Sequence, residues 1–356
     1  MPTVPQATRA AFDFWAALGA YAATTLYTSA RDYYDQHRPR DSTNDPEARL
    51  AAARQAIAPS GEFAYNRVIQ RLMTDEVPEL TFMTRVRFTT PSPVGEDQPA
   101  SASTVELDPR LVYPEYFAGK NFHNQPRDMI YAMSGAMSGG PANRHADKPI
   151  QRAGWAAVRP GSDLLDQRRR TAELAPRDSY QRILDVGCGH GTWTATLQAR
   201  FPKAEMHAID LWPGALRATR AIADRSGWRW SLRQAAAETT GYPDDFFDLA
   251  ASYAVLHELP VAALEAVFGE MFRILEPGGD LLFMDVPPYR ELDDFDMLIN
   301  DWETEHRPEP YWREEAMFDR AALCRRLGFI SVEEFGIGDK SYPWILRARK
   351  PGGVVT

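Results

Sequence analysis

The segment Ile183-Leu-Asp-Val-Gly-Cys-Gly-His-Gly191 places three glycines at every second position after a short apolar run. Gly187, Gly189 and Gly191 let a backbone turn tightly and approach a ligand where any Cβ would clash. A helix starting at Thr192 would aim its N-terminal N–H groups at that ligand. A pyrophosphate turn reads G-x-G-x-x-G, and Thr192 stands at its last glycine. Asp185 lies just ahead of the first glycine. A carboxylate there repels a diphosphate and suits a cationic ligand. His257 and Glu258 follow another apolar run. Ligands of open α/β sheets lie beyond the carboxyl ends of the strands. From there His257 can take a proton from a hydroxyl or amine, or it caps a helix and packs beneath the ligand. Glu258 is the second catalytic candidate there, or else a solvated first-turn carboxylate that favours the helix dipole. Cys188 has no base beside it and reads as a small wall residue, not a nucleophile.

The elements around these residues alternate. From Gln181 onward, apolar runs at Arg182–Val186, Glu205–Asp210, Trp230–Ala235, Phe247–Ser252, Asp280–Asp285, Ile330–Phe335 and Tyr342–Arg349 predict strands. Helices are predicted over Thr192–Phe201, Pro213–Ser226, Val261–Leu275 and Ala316–Leu327. Such alternation predicts an α/β fold with a Rossmann-like, seven-stranded, mostly parallel sheet covered on both faces. The turn from Gly336 to Asp339 makes the last two strands an antiparallel hairpin. Ahead of this lies a mainly helical region: Arg9–His37, Pro46–Ile57, Glu62–Thr74, a short aromatic helix at Arg110–Gly119, and Ser162–Ala175 with Ser162 as N-cap. Thr81–Thr90 reads as strand or helix. Pro91–Ser103 and Ser134–Pro149 read as loops. The expected division is 1–160 helical, 161–350 sheet domain and 351–356 tail.

On these residues the chain resembles the class I S-adenosylmethionine-dependent methyltransferases. The glycine turn matches their first motif. Asp210 and Leu211 match the acid that bonds the ribose hydroxyls and the apolar residue against adenine. The stretch Ala236-Ala-Glu to Asp248, the segment Ser252-Tyr-Ala-Val-Leu-His-Glu258 and the turn Arg273–Leu281 match later motifs in order. The resemblance implies S-adenosylmethionine as cofactor, S-adenosylhomocysteine as product, and cofactor contacts from Asp185, Gly187, Cys188, Gly189, Gly191, Asp210, Leu211, Ala236, Ala237, Glu238, Ser252 and Tyr253. The family often has an acid at Ala236 that binds the adenine amino group. Its absence leaves that group to Glu238, a backbone carbonyl or water.

The acceptor must be chosen by the remaining residues, since fold alone does not set it. Tyr113–Arg152 mixes aromatic and cationic side chains and reads as a lid, with Tyr116, His123, Arg127, Tyr131 and His145 as acceptor residues. Asp285-Val-Pro-Pro-Tyr289 reads as a helix-start turn lining the pocket, with Tyr289 facing the acceptor. The acid-rich run Glu291–Glu315 reads as a solvated face. Its crowded aspartates fit no metal loop, so no metal is expected.

Composition narrows the classes. The 356 residues carry a net charge of −9, with no basic surplus for nucleic acid or an anionic membrane surface. No apolar run reaches the ~18–20 residues that span a bilayer. The first residues do not read as a secretory signal. Two cysteines, Cys188 and Cys324, suit a reducing cytoplasm. The long N-terminal helix could bury its apolar face in its own chain or in a homodimer. Three readings remain: a small-molecule methyltransferase, a nicotinamide-dependent oxidoreductase, and a non-catalytic module that binds S-adenosylmethionine.

Overall fold

The computed structural model describes residues 6–39, 43–73, 102–120, 164–306, 309–338 and 342–353. Thr81–Thr90, Ser134–Pro149, Ser162 and the acceptor candidates His123, Arg127, Tyr131 and His145 lie outside the described residues. The described residues fall into two compact units. One holds 6–73 with Tyr289–Glu309; the other holds 102–120, 164–288 and 310–353.

The first unit is helical. The predicted helix over Arg9–His37 runs from Gln6 to His37, with a π-turn at Ala22–Leu26. Pro46–Ile57 starts as its sequence dictates: Pro46 holds the first helical position and the Asp45 side chain accepts from Glu47 N. A further helix covers 61–73, and Ile69 and Met73 pack with Ala22 and Leu26 in its core. The acid-rich run is in part a solvated face. It folds as a helix over Asp294–His306, and its acids Asp293, Asp294 and Asp301 pair with arginines of the unit. Arg31 holds Asp293 through two bonds of 3.0 and 2.7 Å. Arg49 meets Asp294 at 2.6 Å, and Arg54 pairs with the buried Asp301.

The second unit is an eight-stranded sheet in the order β1-β4-β3-β2-β5-β6-β8-β7. Its strands are β1 Thr104–Glu106, β2 Arg182–Val186, β3 Glu205–Asp210, β4 Trp230–Gln234, β5 Phe247–Tyr253, β6 Leu275–Asp285, β7 Ile330–Gly336 and β8 Trp344–Arg349. β2 and β5 are central, and β5 is buried along its whole length, which explains continuous apolar runs without alternation. β8 pairs antiparallel with both β6 and β7, so it alone runs against the others. The expected count of seven strands is corrected to eight. β1 has three residues, too few for a period, and gains its partner only in space, parallel to β4.

Two helical expectations also change. Arg110–Gly119 forms turns and no helix: Phe117 N and Ala118 N both bond Pro114 O, and Gly119 closes the segment with φ +66. Its aromatic side chains are committed to packing elsewhere in the unit. Ala316–Leu327 is split into Trp312–Met317 and Arg320–Leu327. Asp319 separates them because its side chain accepts from Ala322 N and starts a new helix.

Candidate active site

The site begins where β2 ends. Gly187 N and Cys188 N both donate to Ile209 O, at 3.0 and 2.9 Å, which stitches the glycine turn to β3. All three glycines have positive φ: +72 at Gly187, +50 at Gly189 and +76 at Gly191. Their surroundings differ. A Cβ on Gly187 would meet Val255 Cγ2 at 2.6 Å, and one on Gly191 would meet the Thr219 backbone at 2.9 Å. A Cβ on Gly189 would meet nothing within 4 Å. Two glycines therefore serve packing, and the middle one leaves space for a ligand.

Two carboxylates flank that space. Asp185 is fully buried and accepts from Thr194 Oγ1 at 2.5 Å; its other oxygen has no partner among the described residues. Burial, with Asp210 adding to it, pushes its carboxyl up to about 7 despite the Thr194 bond. Asp210 accepts from Gly189 N at 2.9 Å and Trp212 N at 2.8 Å, and burial pushes it up to about 6. A buried carboxylate oxygen without a donor is costly. Cys188 is buried with Thr219 Oγ1 3.6 Å from its sulfur, and burial raises its thiol well above the ordinary range.

Beyond Asp210 lie Leu211, which is half-buried, and the turn after β4, the residues expected at the nucleoside. Ala236 bridges Thr239, which presents Ala237 and Glu238 at the bend. Ala236 offers no carboxylate. Glu238 Oε1 accepts from Tyr116 at 2.6 Å, and its Oε2 is buried without a partner among the described residues. Tyr116, expected at the acceptor, thus sits at the turn after β4.

On the other flank, Ser252 is buried and its hydroxyl donates to Val186 O at 2.9 Å, tying β5 to β2. The Tyr253 ring packs on Trp193, and its hydroxyl is buried without a partner among the described residues. Ala254 takes φ +61, a left-handed conformation that costs about 1–2 kcal/mol for a residue with a Cβ. The reversal feeds the short turn Leu256–Glu258. Here His257 is buried, with Nδ1 at 2.6 Å from Asp285 Oδ1 and its ring against Trp312. Asp285 also accepts from Leu256 N at 2.6 Å and Val286 N at 2.8 Å. Burial would raise its carboxyl, but the His257 imidazole and Arg320 hold it below the usual carboxylate range. Glu258 is half-buried on the same turn and close enough to Asp210 to raise it. Tyr289, expected to face the acceptor, is fully buried and its hydroxyl donates to Asp301 at 2.8 Å.

Sequence reading alone missed Asp285 as the partner of His257, and Thr194 and Trp312 with it. Asp285 carried a signal, an acid closing an apolar strand as Asp185 and Asp210 do. No helix among the described residues is long and apolar enough to cross a membrane.

Comparison with known proteins agrees with this geometry. Residues 183–279 match the family model described as a methyltransferase domain. A demethylmenaquinone methyltransferase of Thermus thermophilus is 31% identical over 144 residues, covering 38% of this chain and 64% of that protein. A malonyl-[acyl-carrier protein] O-methyltransferase of Legionella pneumophila is 32% identical, covering 42% of this chain and 50% of that protein. An aklanonic acid methyltransferase of Streptomyces is 34% identical over 171 residues, covering 43% of this chain and 71% of that protein. The chain thus spans between half and about two thirds of the first two. The chain belongs to the class I S-adenosylmethionine-dependent methyltransferases, with S-adenosylmethionine as its cofactor.

Proposed function

We propose that this protein transfers a methyl group from S-adenosylmethionine to a small-molecule acceptor. One observation carries the reading: near the ends of β2 and β3 stand Asp185, with a buried carboxylate oxygen that has no partner among the described residues, and Asp210, which accepts from the N–H of Gly189, where a Cβ would meet nothing within 4 Å. The residues fit the cofactor. Asp185 would meet its cationic amino-acid end, Asp210 its ribose, and Leu211, Ala237 and Glu238 its base. A diphosphate in the same place would face two carboxylates and gain nothing from them. When bound, the cofactor supplies an electrophilic methyl group on a cationic sulfur.

The chain's own work is then alignment, exclusion of water and handling of one proton. His257 Nδ1 is tied to Asp285, so the imidazole is held in one orientation, from which it would take an acceptor proton. That arrangement helps only an acceptor whose proton has a high pKa, such as a hydroxyl. Two relatives are named for small acceptors, demethylmenaquinone and aklanonic acid, which supports a small molecule here. The N-terminal 160 residues would build the acceptor's cover. Two buried free cysteines suit a cytoplasmic protein.

Calorimetry tests the first half: S-adenosylhomocysteine should bind in the micromolar range, and no heat at millimolar ligand would sink the reading. Transfer of labelled methyl across a panel of small hydroxylated acceptors tests the second. With any acceptor so found, His257→Gln should lower kcat about 10²-fold or more while S-adenosylhomocysteine affinity stays within about threefold.

A further inference from the structure

The family model ends at residue 279, and the chain beyond it builds a buried charge cluster behind the His257 turn. The short helix Trp312–Met317 packs against the turn Leu256–Glu258. Trp312 lies on the His257 ring. Glu314 Oε1 accepts at 2.9 Å from Val261 N, which opens the helix after that turn. The next helix, Arg320–Leu327, starts with a fully buried guanidinium. Arg320 Nη1 donates to Glu315 Oε1 at 2.5 Å and Nη2 donates to Val286 O, beside Asp285, at 3.1 Å. Its Nε lies 3.4 Å from Glu334 Oε1 on β7.

A cation buried this deeply needs counter-charges, and Arg320 has Glu315, Glu334 and Asp285 around it. Burial pushes the Glu315 carboxyl up to about 7 even with Arg320 beside it, and its Oε2 has no partner among the described residues. The other titratable groups of this unit at the cluster are His257, Glu258 on the same turn, Tyr253 and Cys324. Burial pushes the Cys324 thiol up to about 12 and raises the Tyr253 hydroxyl well above its ordinary range, so both stay neutral. Arginine cannot release its proton, so Arg320 is the permanent cation among these groups. The other group there that can turn positive is His257. A carboxylate beside an imidazole favours the imidazolium, and several buried acids favour it more.

From this geometry we propose that Arg320 is a positioning residue for methyl transfer: its fixed charge answers the buried acids in place of a protonated imidazole, so His257 stays neutral and able to take a proton. The proposal rests on the reading of His257 as the base. The work is then divided between two residues. Asp285 aims the ring, and Arg320 offsets the pull that Asp285 would otherwise exert on a proton. Glu315 and the Val286 carbonyl hold the guanidinium where it can do so. A general base must be unprotonated when its acceptor arrives, so an imidazole oriented by a carboxylate without this offset would be aimed well and already spent.

The test is an NMR titration of the full chain with labelled histidine, which needs no acceptor. The chain has seven histidines, and the signal lost in His257→Gln identifies His257. In the wild-type protein His257 should be neutral at pH 7.5, with its proton on Nδ1 toward Asp285. Arg320→Met should raise its titration midpoint by about one to three pH units. Arg320→Lys keeps the charge and loses the forked contacts, so the midpoint should stay within about half a unit of wild type. Glu315→Gln keeps an oxygen for Arg320 and removes an acid, so the midpoint should not rise. A merely structural Arg320 predicts a midpoint that no folded variant moves, and that result overturns the proposal. So does a wild-type His257 that is already protonated at pH 7.5. If Arg320→Met does not fold, Arg320→Met combined with Glu315→Gln removes both halves of the closest ion pair and carries the test, with the same upward shift expected from the charges of Asp285 and Glu334. An upward shift in Arg320→Met alongside full methyl transfer by His257→Gln overturns the base reading instead.

Discussion

Asp185 and Asp285 both lie near the carboxyl end of a parallel strand of one sheet, and each is buried. Their environments are opposite. Asp185 has one hydroxyl donor and an orphan oxygen, and burial pushes it up to about 7. Asp285 has two backbone donors and an imidazole, and the imidazole and Arg320 outweigh its burial and hold it low. The first carboxylate is incomplete without a ligand. The second is completed by the protein and has no need of one. The contrast separates a binding group from a positioning group: one stores an unmet demand for positive charge, while the other holds a side chain still before anything binds.

Removing the two groups should therefore have opposite consequences. Asp285→Ala strands the N–H of Leu256, the N–H of Val286 and the His257 ring, and should cost about 3–5 kcal/mol in urea unfolding. Asp185→Asn should change the stability of the ligand-free protein by less than about 1 kcal/mol, because a neutral amide is cheaper to bury than a carboxylate. Its loss should appear in cofactor affinity instead. Equal destabilisation by both variants would break the comparison.

The glycine turn sharpens the same distinction. Gly191→Ala must place a Cβ 2.9 Å from the Thr219 backbone at φ +76, so strain and overlap add to about 2–4 kcal/mol of destabilisation. Gly189→Ala meets open space at φ +50 and should cost only about 1–2 kcal/mol of backbone strain. Thermal unfolding of the ligand-free variants orders them. Calorimetry with S-adenosylhomocysteine should show Gly189→Ala losing affinity out of proportion to that small cost.

How far the sequence reached divides along the same line. β2 and β3, with Asp185 and Asp210 at their ends, coincide with the predicted strands, because a buried central strand writes a continuous apolar run and its turn demands glycine. His257 was visible as a residue, but its bond to Asp285 spans 28 positions and exists only because β5 and β6 are neighbours. β1 was hidden for the same reason, as was Tyr116 at Glu238: each is defined by a partner distant in the chain. The acid-rich helix looked solvated because Arg31, Arg49 and Arg54 lie more than 200 positions away from their carboxylates. Local chemistry is legible in local sequence. Pairings across the fold become legible only once strand and helix order is known.

The smallest effect in this set is a dependence on pH, and it tests whether Asp185 is held in reserve for a cation. A carboxyl titrates near 3.9 in an unfolded chain, while Asp185 in the fold is raised to about 7. Between those values the native state keeps a proton that the unfolded state has released, so the ligand-free protein loses stability as pH rises through that window. Asp210, raised to about 6, contributes in the same direction below pH 6. A ligand whose ammonium group pairs with Asp185 needs that carboxyl ionised, so its binding expels the proton and strengthens with pH. Affinity for S-adenosylhomocysteine should rise about eightfold from pH 6 to pH 7.5, the increase in ionised fraction for a group near 7. In Asp185→Asn the rise should flatten, while Asp285→Asn should leave it in place, because Asp285 is already ionised at both values. A wild-type affinity independent of pH over this range would mean that Asp185 binds as a neutral acid, and the contrast between the two carboxylates would then lie in hydrogen bonding rather than charge.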